Sequence, residues 1–303
     1  MIKVRDLCKS FGSQTVLKNL ELNVGKGSVY GLVGPNGAGK TTLIKHLAGI
    51  YRPDKGTITV CGENTGESPA AKSKMFYIAD EMYFFSQYSI DEAARFYSAF
   101  YPSWSWKRYN QLKEAFPIDT GRRIVKLSKG MQKQVAFWLG ICSMPQLMLM
   151  DEPVDGLDPV MRRQVWNLLL QDVAEREMTV LVSSHNLREL EDVCDSIGIM
   201  QDKKITIEKN LDDLKTNIHK LQVAFPDDAG DDLTAGCFKD FEILSHSENG
   251  SIHLFIIKGD RDKILDKIGR RNPTVLDVLP LSLEEVFIYE LGGTGYEVKN
   301  IAI

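Results

Sequence analysis

Residues 34–42 carry the pattern that constrains the fold most, Gly-Pro-Asn-Gly-Ala-Gly-Lys-Thr-Thr, with the spacing G-x-x-x-x-G-K-T. An apolar run at 29–33 precedes it and Leu-Ile-Lys-His-Leu-Ala at 43–48 follows it, so the motif predicts a tight loop between a strand and a helix. Small residues let backbone N–H groups face a phosphate, and the N-terminus of the next helix favours an anion. The stretch therefore predicts a phosphate-binding loop in an α/β fold, the alternative being a plain glycine-rich turn.

The side chains of this loop have separate predicted roles. Lys40 is expected to reach the β- and γ-phosphates of a nucleotide, where it assists catalysis, and the Thr41 hydroxyl is expected to coordinate Mg²⁺. The predicted phosphate-contacting residues are Gly34, Asn36, Gly37, Ala38, Gly39, Lys40, Thr41 and Thr42.

A second motif ends a buried strand with two acids. Four apolar residues at 147–150 lead into Asp151 and Glu152. Because the carboxyl ends of parallel strands share one edge of a sheet, Asp151 is expected to reach the same Mg²⁺. Glu152 is suited to accept a proton from the attacking water. The alternative is a pair of surface acids at a strand end, and the presence of a phosphate-binding loop in the same chain disfavours it.

Length, charge and residue composition exclude several classes of protein. The 303 residues, 43% hydrophobic and 26% charged, fit a soluble globular chain with one large and one small domain or with two domains of modest size. A net charge of −4 does not favour direct binding to nucleic acid or to anionic lipid. No apolar run approaches ~18 residues and the start lacks a signal-peptide pattern, so any membrane role is expected to go through a partner. Five scattered cysteines without a C-x-x-C pair indicate reduced thiols in the cytoplasm.

With Leu-Ser-Lys-Gly-Met-Gln at 127–132 and Ser-Ser-His at 183–185, the two motifs resemble the nucleotide-binding subunits of ABC transporters over about residues 2–215. The resemblance implies a P-loop NTPase domain at 1–215 with a mixed sheet core, an antiparallel β part and a helical subdomain at about 82–142. It implies ATP and Mg²⁺ as ligands. In this family two heads sandwich two ATPs, so the implied partners are a second identical or different head and a separate transmembrane permease. That would place the chain on the inner face of the cell membrane.

The resemblance also assigns residues that the motifs alone leave open. Ser128 and Gly130 would cap the γ-phosphate held by the second head, and Asp155 matches the loop that bridges the heads. His185 matches the family's switch histidine, although by itself it could be an ordinary strand-end histidine. Phe11 matches the adenine-stacking aromatic; from its residue type alone it could equally be a core side chain.

Two departures from the family pattern stand out. Lys129 and Met131 replace a glycine and a glutamine that are usual beside Ser128 and Gly130. Asp80 stands at the end of a predicted strand where the family usually has a glutamine. We assign Asp80 as its counterpart and as a metal ligand; a carboxylate accepts hydrogen bonds but cannot donate as an amide does. Coupling to the membrane partner is therefore expected to differ.

Residues 216–303 predict a small α+β accessory domain: strand, hairpin, helix, strand and final helix. The aromatic segment at 96–106 and Ser-Leu-Glu-Glu-Val-Phe at 282–287 resemble the ATPases of bacterial ABC-2-type systems, close to the acetoin-utilisation (YtrB-like) group. The many aromatic side chains at 83–109 are either core residues or a surface for a permease that docks near 80–106.

Three functions follow from these patterns. The first is an ATP-hydrolysing subunit that drives a permease through ATP-dependent association of two heads. The second, a soluble ABC ATPase acting on nucleic acid or ribosomes, is disfavoured by the single head, the lack of coiled-coil heptads and the acidic charge. The third, a regulator that binds ATP without cutting it, is disfavoured by the presence of Glu152 and His185.

Overall fold

The computed structural model describes residues 1–66, 68–211, 217–225 and 241–291. Its packing divides the chain into two compact units, Met1–Glu208 and Lys209–Ile303. Strands of the first unit are β1 (Ile2–Phe11), β2 (Gln14–Val24), β3 (Val29–Val33), β4 (Lys55–Val60), β5 (Glu63–Asn64), β6 (Met75–Ile78), β7 (Leu147–Asp151), β8 (Thr179–Ser184), β9 (Ser196–Gln201) and β10 (Lys204–Asn210). Its helices are α1 (Lys40–Leu47), α2 (Pro69–Ser73), α3 (Ile90–Phe100), α4 (Trp106–Ala115), α5 (Lys129–Cys142) and α6 (Pro159–Arg176).

Two sheets form the body of the first unit. The central six-stranded sheet has the order β10-β9-β3-β8-β7-β6, and β3, β6, β7, β8 and β9 join through parallel pairings. Its inner strands are buried throughout, as expected for near-continuous apolar runs in a parallel sheet. The second sheet, β2-β1-β4-β5, is antiparallel. This arrangement confirms the predicted α/β fold with a separate antiparallel part.

The helical part of the first unit is built from α3, α4 and α5. Ser89 caps α3 and forms a capping box with Glu92. Inside, the fully buried Trp138 ring stacks on Tyr109 and Phe116, at centroid distances of 4.9 and 5.8 Å. The aromatic segment is therefore partly core. Four of its side chains are nevertheless exposed: Tyr83, Phe85, Phe100 and Trp106.

The second unit is a small α+β fold, as predicted. Its strands are β11 (Ile218–Ala224), β12 (Glu242–Asn249), β13 (Ile252–Lys258) and β14 (Val275–Leu279), and its helices are α7 (Arg261–Gly269) and α8 (Leu283–Leu291). The antiparallel sheet has the order β12-β13-β11-β14. Leu221, Phe255 and Ile257 of the sheet pack against Ile264 and Ile268 of α7.

None of the helices formed by the described residues combines the length and the apolar character that crossing a bilayer requires.

Candidate active site

The loop between β3 and α1 is held in a conformation that only glycines adopt readily. Gly37 and Gly39 have φ angles of 82° and 108°, in the left-handed region. A Cβ on Gly34 would lie 2.5 Å from the Met200 carbonyl oxygen, and one on Gly39 would lie 2.8 Å from Met200 Cε. The glycines thus let the loop lie directly against β9, while Asn36 and Gly37 remain exposed.

Lys40 joins this loop to the end of β7. Its side chain is buried, and its Nζ donates to the carbonyl oxygens of Gly34 and Pro35 at 2.7 and 3.4 Å. The same Nζ lies 3.3 Å from Glu152 Oε1. A buried ammonium requires such partners because its desolvation is costly. The two groups predicted to act on phosphate and on water therefore occupy one site.

Glu152 lies at the centre of the hydrogen-bond network. Its φ of 45° turns the chain sharply after β7, and its Oε2 lies 3.0 Å from His185 Nδ1. Its carbonyl oxygen accepts a hydrogen bond from Lys133 Nζ at 3.1 Å. Carboxylate oxygens of Glu152 and Asp155 and a ring nitrogen of His185 lie within 4.8 Å of one another. Glu152 thus contacts both Lys40 and His185, and Asp155 lies close to Glu152 and His185.

Ser183 holds both acids at the end of β7 and was not identified from the sequence. Its hydroxyl donates to Asp151 Oδ1 at 2.7 Å and accepts from the Glu152 backbone N–H at 3.1 Å. Asp151 and Ser183 face each other across the parallel pair β7 and β8 and are both buried. The strand register is the signal that would have revealed this contact.

Asp80 follows β6 at the same edge and lies near Lys133, with 3.8 Å between Oδ1 and Nζ. Partial burial raises the pKa of Asp80, and the negative charges of Asp151, Glu152 and Asp155 raise it further, against the opposing effect of Lys133. Lys133 is a second residue that sequence reasoning missed.

The oxygen groups at this edge suit a hard divalent cation. Asp151 supplies a buried carboxylate, Asp80 supplies a partly buried carboxylate and Thr41 supplies a hydroxyl, and such oxygen groups are the donors that Mg²⁺ prefers. A cation there would offset the negative charges of Asp151, Glu152 and Asp155, which add to the effect of burial in raising the pKa of Asp80. These residues therefore fit the metal that the motifs imply.

The structure also describes three other predicted residues, Phe11, Ser128 and Gly130. The Phe11 side chain is 45% exposed and meets the edge of the Tyr51 ring at a centroid distance of 5.4 Å, so the core alternative for Phe11 is wrong. Ser128 caps α5 by accepting from the Met131 backbone N–H at 3.3 Å. A Cβ on Gly130 would lie 3.0 Å from the Gly156 carbonyl oxygen, so Gly130 lies close to the loop that contains Asp155.

Comparison with known proteins gives consistent matches. The family model described as ABC transporter matches residues 17–155. The ABC transporter ATP-binding protein YtrB of Bacillus subtilis is 32% identical over 97% of this chain and 99% of its own length. The bacitracin transport ATP-binding protein BcrA of Bacillus licheniformis is 29% identical, over 97% and 98% of the two chains.

Solved structures show the same fold. An ATP-binding subunit of an ABC transporter superposes with a TM-score of 0.66 at 27% identity, covering 71% of this chain and 92% of the other. A dimeric ATP-binding cassette in a post-hydrolysis state with ADP and Pi has a TM-score of 0.63 at 20% identity, covering 70% and 99%. The latter likeness concerns the fold alone.

Proposed function

The chain belongs to the ABC transporter ATP-binding proteins, and we propose that it cleaves ATP at the Lys40–Glu152–His185 site to drive a separate membrane permease. It is an ABC ATPase by family. The observation that supports this site is the contact of Glu152 with both Lys40 Nζ and His185 Nδ1, at 3.3 and 3.0 Å. That contact places a carboxylate between a phosphate-binding ammonium and an imidazole.

The proposed chemistry divides between these three side chains. Lys40 and the backbone N–H groups of residues 34–42 bind the β- and γ-phosphates, as a glycine loop before a helix N-terminus is suited to do. Glu152 accepts the proton of the water that attacks the γ-phosphate. The His185 Nδ1–H donates to Glu152, which orients the carboxylate and leaves Nε2 to face the phosphate.

We propose that Thr41, Asp151 and Asp80 hold Mg²⁺ with the nucleotide. The ion would supply positive charge that neutralises the phosphate oxygens. Ser183 fixes the orientation of Asp151 through its 2.7 Å hydrogen bond, and it fixes the Glu152 backbone through a second one. Phe11, with an exposed ring, is proposed to stack on the adenine.

The second half of each ATP site is proposed to come from a second head. Ser128 and Gly130 lie at the N-terminus of the 14-residue helix α5, where backbone N–H groups favour an anion. Asp155 lies next to Gly156, whose carbonyl oxygen faces Gly130. Two heads closing around ATP would bring these groups to the partner's γ-phosphate. Preference of ATP for the closed pair then drives the permease, and hydrolysis resets it.

The proposed permease contact is the exposed aromatic part of the helical region. Tyr83 is 85% exposed and Phe100 is 60% exposed, and Phe85 and Trp106 are 43% and 44% exposed. Several large exposed rings in one region of a soluble protein indicate a docking surface. A short permease helix seated there would lie close to Asp80, and the chain would be held at the inner face of the membrane through that partner.

The test is purification of tagged Glu152→Gln protein from membranes in Mg-ATP, followed by mass spectrometry of the co-purifying chains. We expect a polytopic membrane protein. A matched Tyr83→Ser, Phe100→Ser form of the same protein is expected to lose that chain while still binding ATP. Recovery of ribosomal proteins or DNA without a permease would instead support the soluble ABC ATPase and contradict the proposal.

A further inference from the structure

Two histidines and a glutamate come together on the β12–β13 hairpin of the second unit, a part of the chain to which no step of ATP cleavage has been assigned. His246 Nε2 lies 3.2 Å from His253 Nδ1. Glu248 Oε1 lies 3.5 Å from the first of these nitrogens and 3.4 Å from the second. Two imidazole nitrogens and one carboxylate oxygen thus form a nearly equilateral triangle.

The backbone places these groups on one face of the hairpin. Glu248 pairs directly with His253 across the two strands, and His246 lies two residues before Glu248. Residues i and i+2 of a strand point to the same face. Asn249 pairs with Ile252 at the end of the ladder, and the turn between them contains Gly250 with a φ of 64°. A two-residue turn fixes the register, and with it the positions of the three side chains.

The His246 ring is held in place by Phe255, its neighbour across the two strands. It lies parallel to the buried Phe255 ring, at a centroid distance of 4.3 Å and an interplanar angle of 5°. The His253 ring is also close to parallel with it. A ring that is stacked on a core side chain loses little orientational freedom when its nitrogen binds a ligand, which is the preorganisation that a binding site requires.

The triangle has the dimensions of a tetrahedral metal site. Zinc–nitrogen and zinc–oxygen bonds of about 2.0–2.2 Å in tetrahedral geometry require ligand atoms about 3.3–3.6 Å apart. The three separations are 3.2, 3.4 and 3.5 Å. We propose that His246, Glu248 and His253 bind a divalent transition-metal ion, with zinc as the best match.

The types of ligand atom indicate which metal ions fit the site, and the exposure of the side chains indicates that solvent can reach it. Two imidazoles and one carboxylate suit zinc and its neighbours in the first transition row, whereas Mg²⁺ and Ca²⁺ prefer oxygen ligands alone. The side chains of His253, His246 and Glu248 are 23%, 31% and 58% exposed. The fourth coordination position would therefore face solvent and take water. A bound ion would link the two strands close to their turn.

The test uses the full chain, freed of metal with a chelator and titrated with Zn²⁺ by calorimetry and with Co²⁺ by visible absorption. We expect one tight equivalent and the intense absorption of tetrahedral Co²⁺. Glu248→Gln and His253→Ala are each expected to weaken Zn²⁺ binding by at least about tenfold, since the first replaces an anionic ligand with a neutral amide and the second removes an imidazole. Glu242→Gln, the same change on the same strand away from the triangle, is the matched control and should bind Zn²⁺ like the wild type.

One further variant separates this site from the active site, where Glu152, Asp155 and His185 also lie close together. His185→Ala should leave the Co²⁺ spectrum unchanged. The proposal is overturned if Zn²⁺ does not bind, if Glu248→Gln binds it with wild-type affinity, or if His185→Ala alone abolishes the spectrum. Circular dichroism monitors folding; if His253→Ala is unfolded, the exposed Glu248→Gln decides the outcome.

Discussion

Replacing Ser183 with alanine tests how the two acids at the end of β7 are held. The Ser183 hydroxyl donates to Asp151 Oδ1 at 2.7 Å and accepts from the Glu152 backbone N–H at 3.1 Å. Removal of this one oxygen leaves both partners in place and creates almost no cavity. The buried Asp151 carboxylate would lose a donor, and the Glu152 N–H would lose its acceptor.

The expected loss in the free energy of unfolding follows from the two hydrogen bonds that the variant lacks. A bond to a charged group contributes about 1.5–3 kcal/mol and a neutral one about 0.5–1.5 kcal/mol, so Ser183→Ala should lower the free energy of unfolding by about 2–4.5 kcal/mol. Part of that energy fixes the carboxylates for the reaction. If about 1.4–2.8 kcal/mol of it is expressed in the transition state, kcat for ATP hydrolysis falls about 10- to 100-fold. KM should change less because Lys40 keeps its contacts.

The assays are urea unfolding and steady-state ATP hydrolysis, with Ser184→Ala as the control. Ser184 is also buried at the end of β8, but its hydroxyl forms hydrogen bonds with Asn186 and Glu189. It contacts neither Asp151 nor Glu152 in this hydrogen-bond network. Ser184→Ala should therefore lose stability while kcat changes little. The reasoning is refuted if Ser183→Ala hydrolyses ATP at the wild-type rate, or if both variants lose kcat equally.

Three other perturbations have defined outcomes. Gly39→Ala should abolish nucleotide binding in a fluorescence titration, because the φ of 108° is strained for alanine and its Cβ would lie 2.8 Å from Met200 Cε; wild-type affinity would contradict this. Asp172→Ala should lower the free energy of unfolding by about 3–5 kcal/mol, because the buried Asp172 carboxylate pairs with Arg108 and with a second arginine; a loss below about 1 kcal/mol would contradict it. Asp80→Asn should raise the Tm slightly at neutral pH, because the raised pKa means that ionised Asp80 opposes folding. That gain should vanish as the pH falls through the raised pKa towards the ordinary value for aspartate, and a gain independent of pH would argue against the charge effect.

The sequence was most informative where local pattern and chemistry coincide. The strand–loop–helix around Lys40 and the acids after β7 could be predicted because the spacing fixes the loop and because parallel strands end at a common edge. The structure places Lys40 and Glu152 in contact, 3.3 Å apart. The order of strands and helices in the second unit was predictable for a similar reason, since turn residues separate its apolar runs.

Contacts that depend on strand register or on tertiary packing could not be predicted from local sequence patterns. The position of Ser183 opposite Asp151 requires the pairing of two strands that are about 30 residues apart. Convergence of His246 and His253 requires the register of a hairpin, although both residues lie in predicted strands. The division of the aromatic side chains into core and surface depends on how α3, α4 and α5 pack, which residue types alone do not specify.

The central claim is that Glu152 serves as the base in ATP cleavage. The most direct measurement is the rate of phosphate release by Glu152→Gln and wild-type protein in saturating Mg-ATP, with nucleotide affinity measured on the same samples. Loss of a general base predicts a fall of about 10²- to 10⁴-fold in the rate with ATP still bound, because Lys40 and the loop backbone remain. A variant that releases phosphate at the wild-type rate would contradict the account and place the base elsewhere.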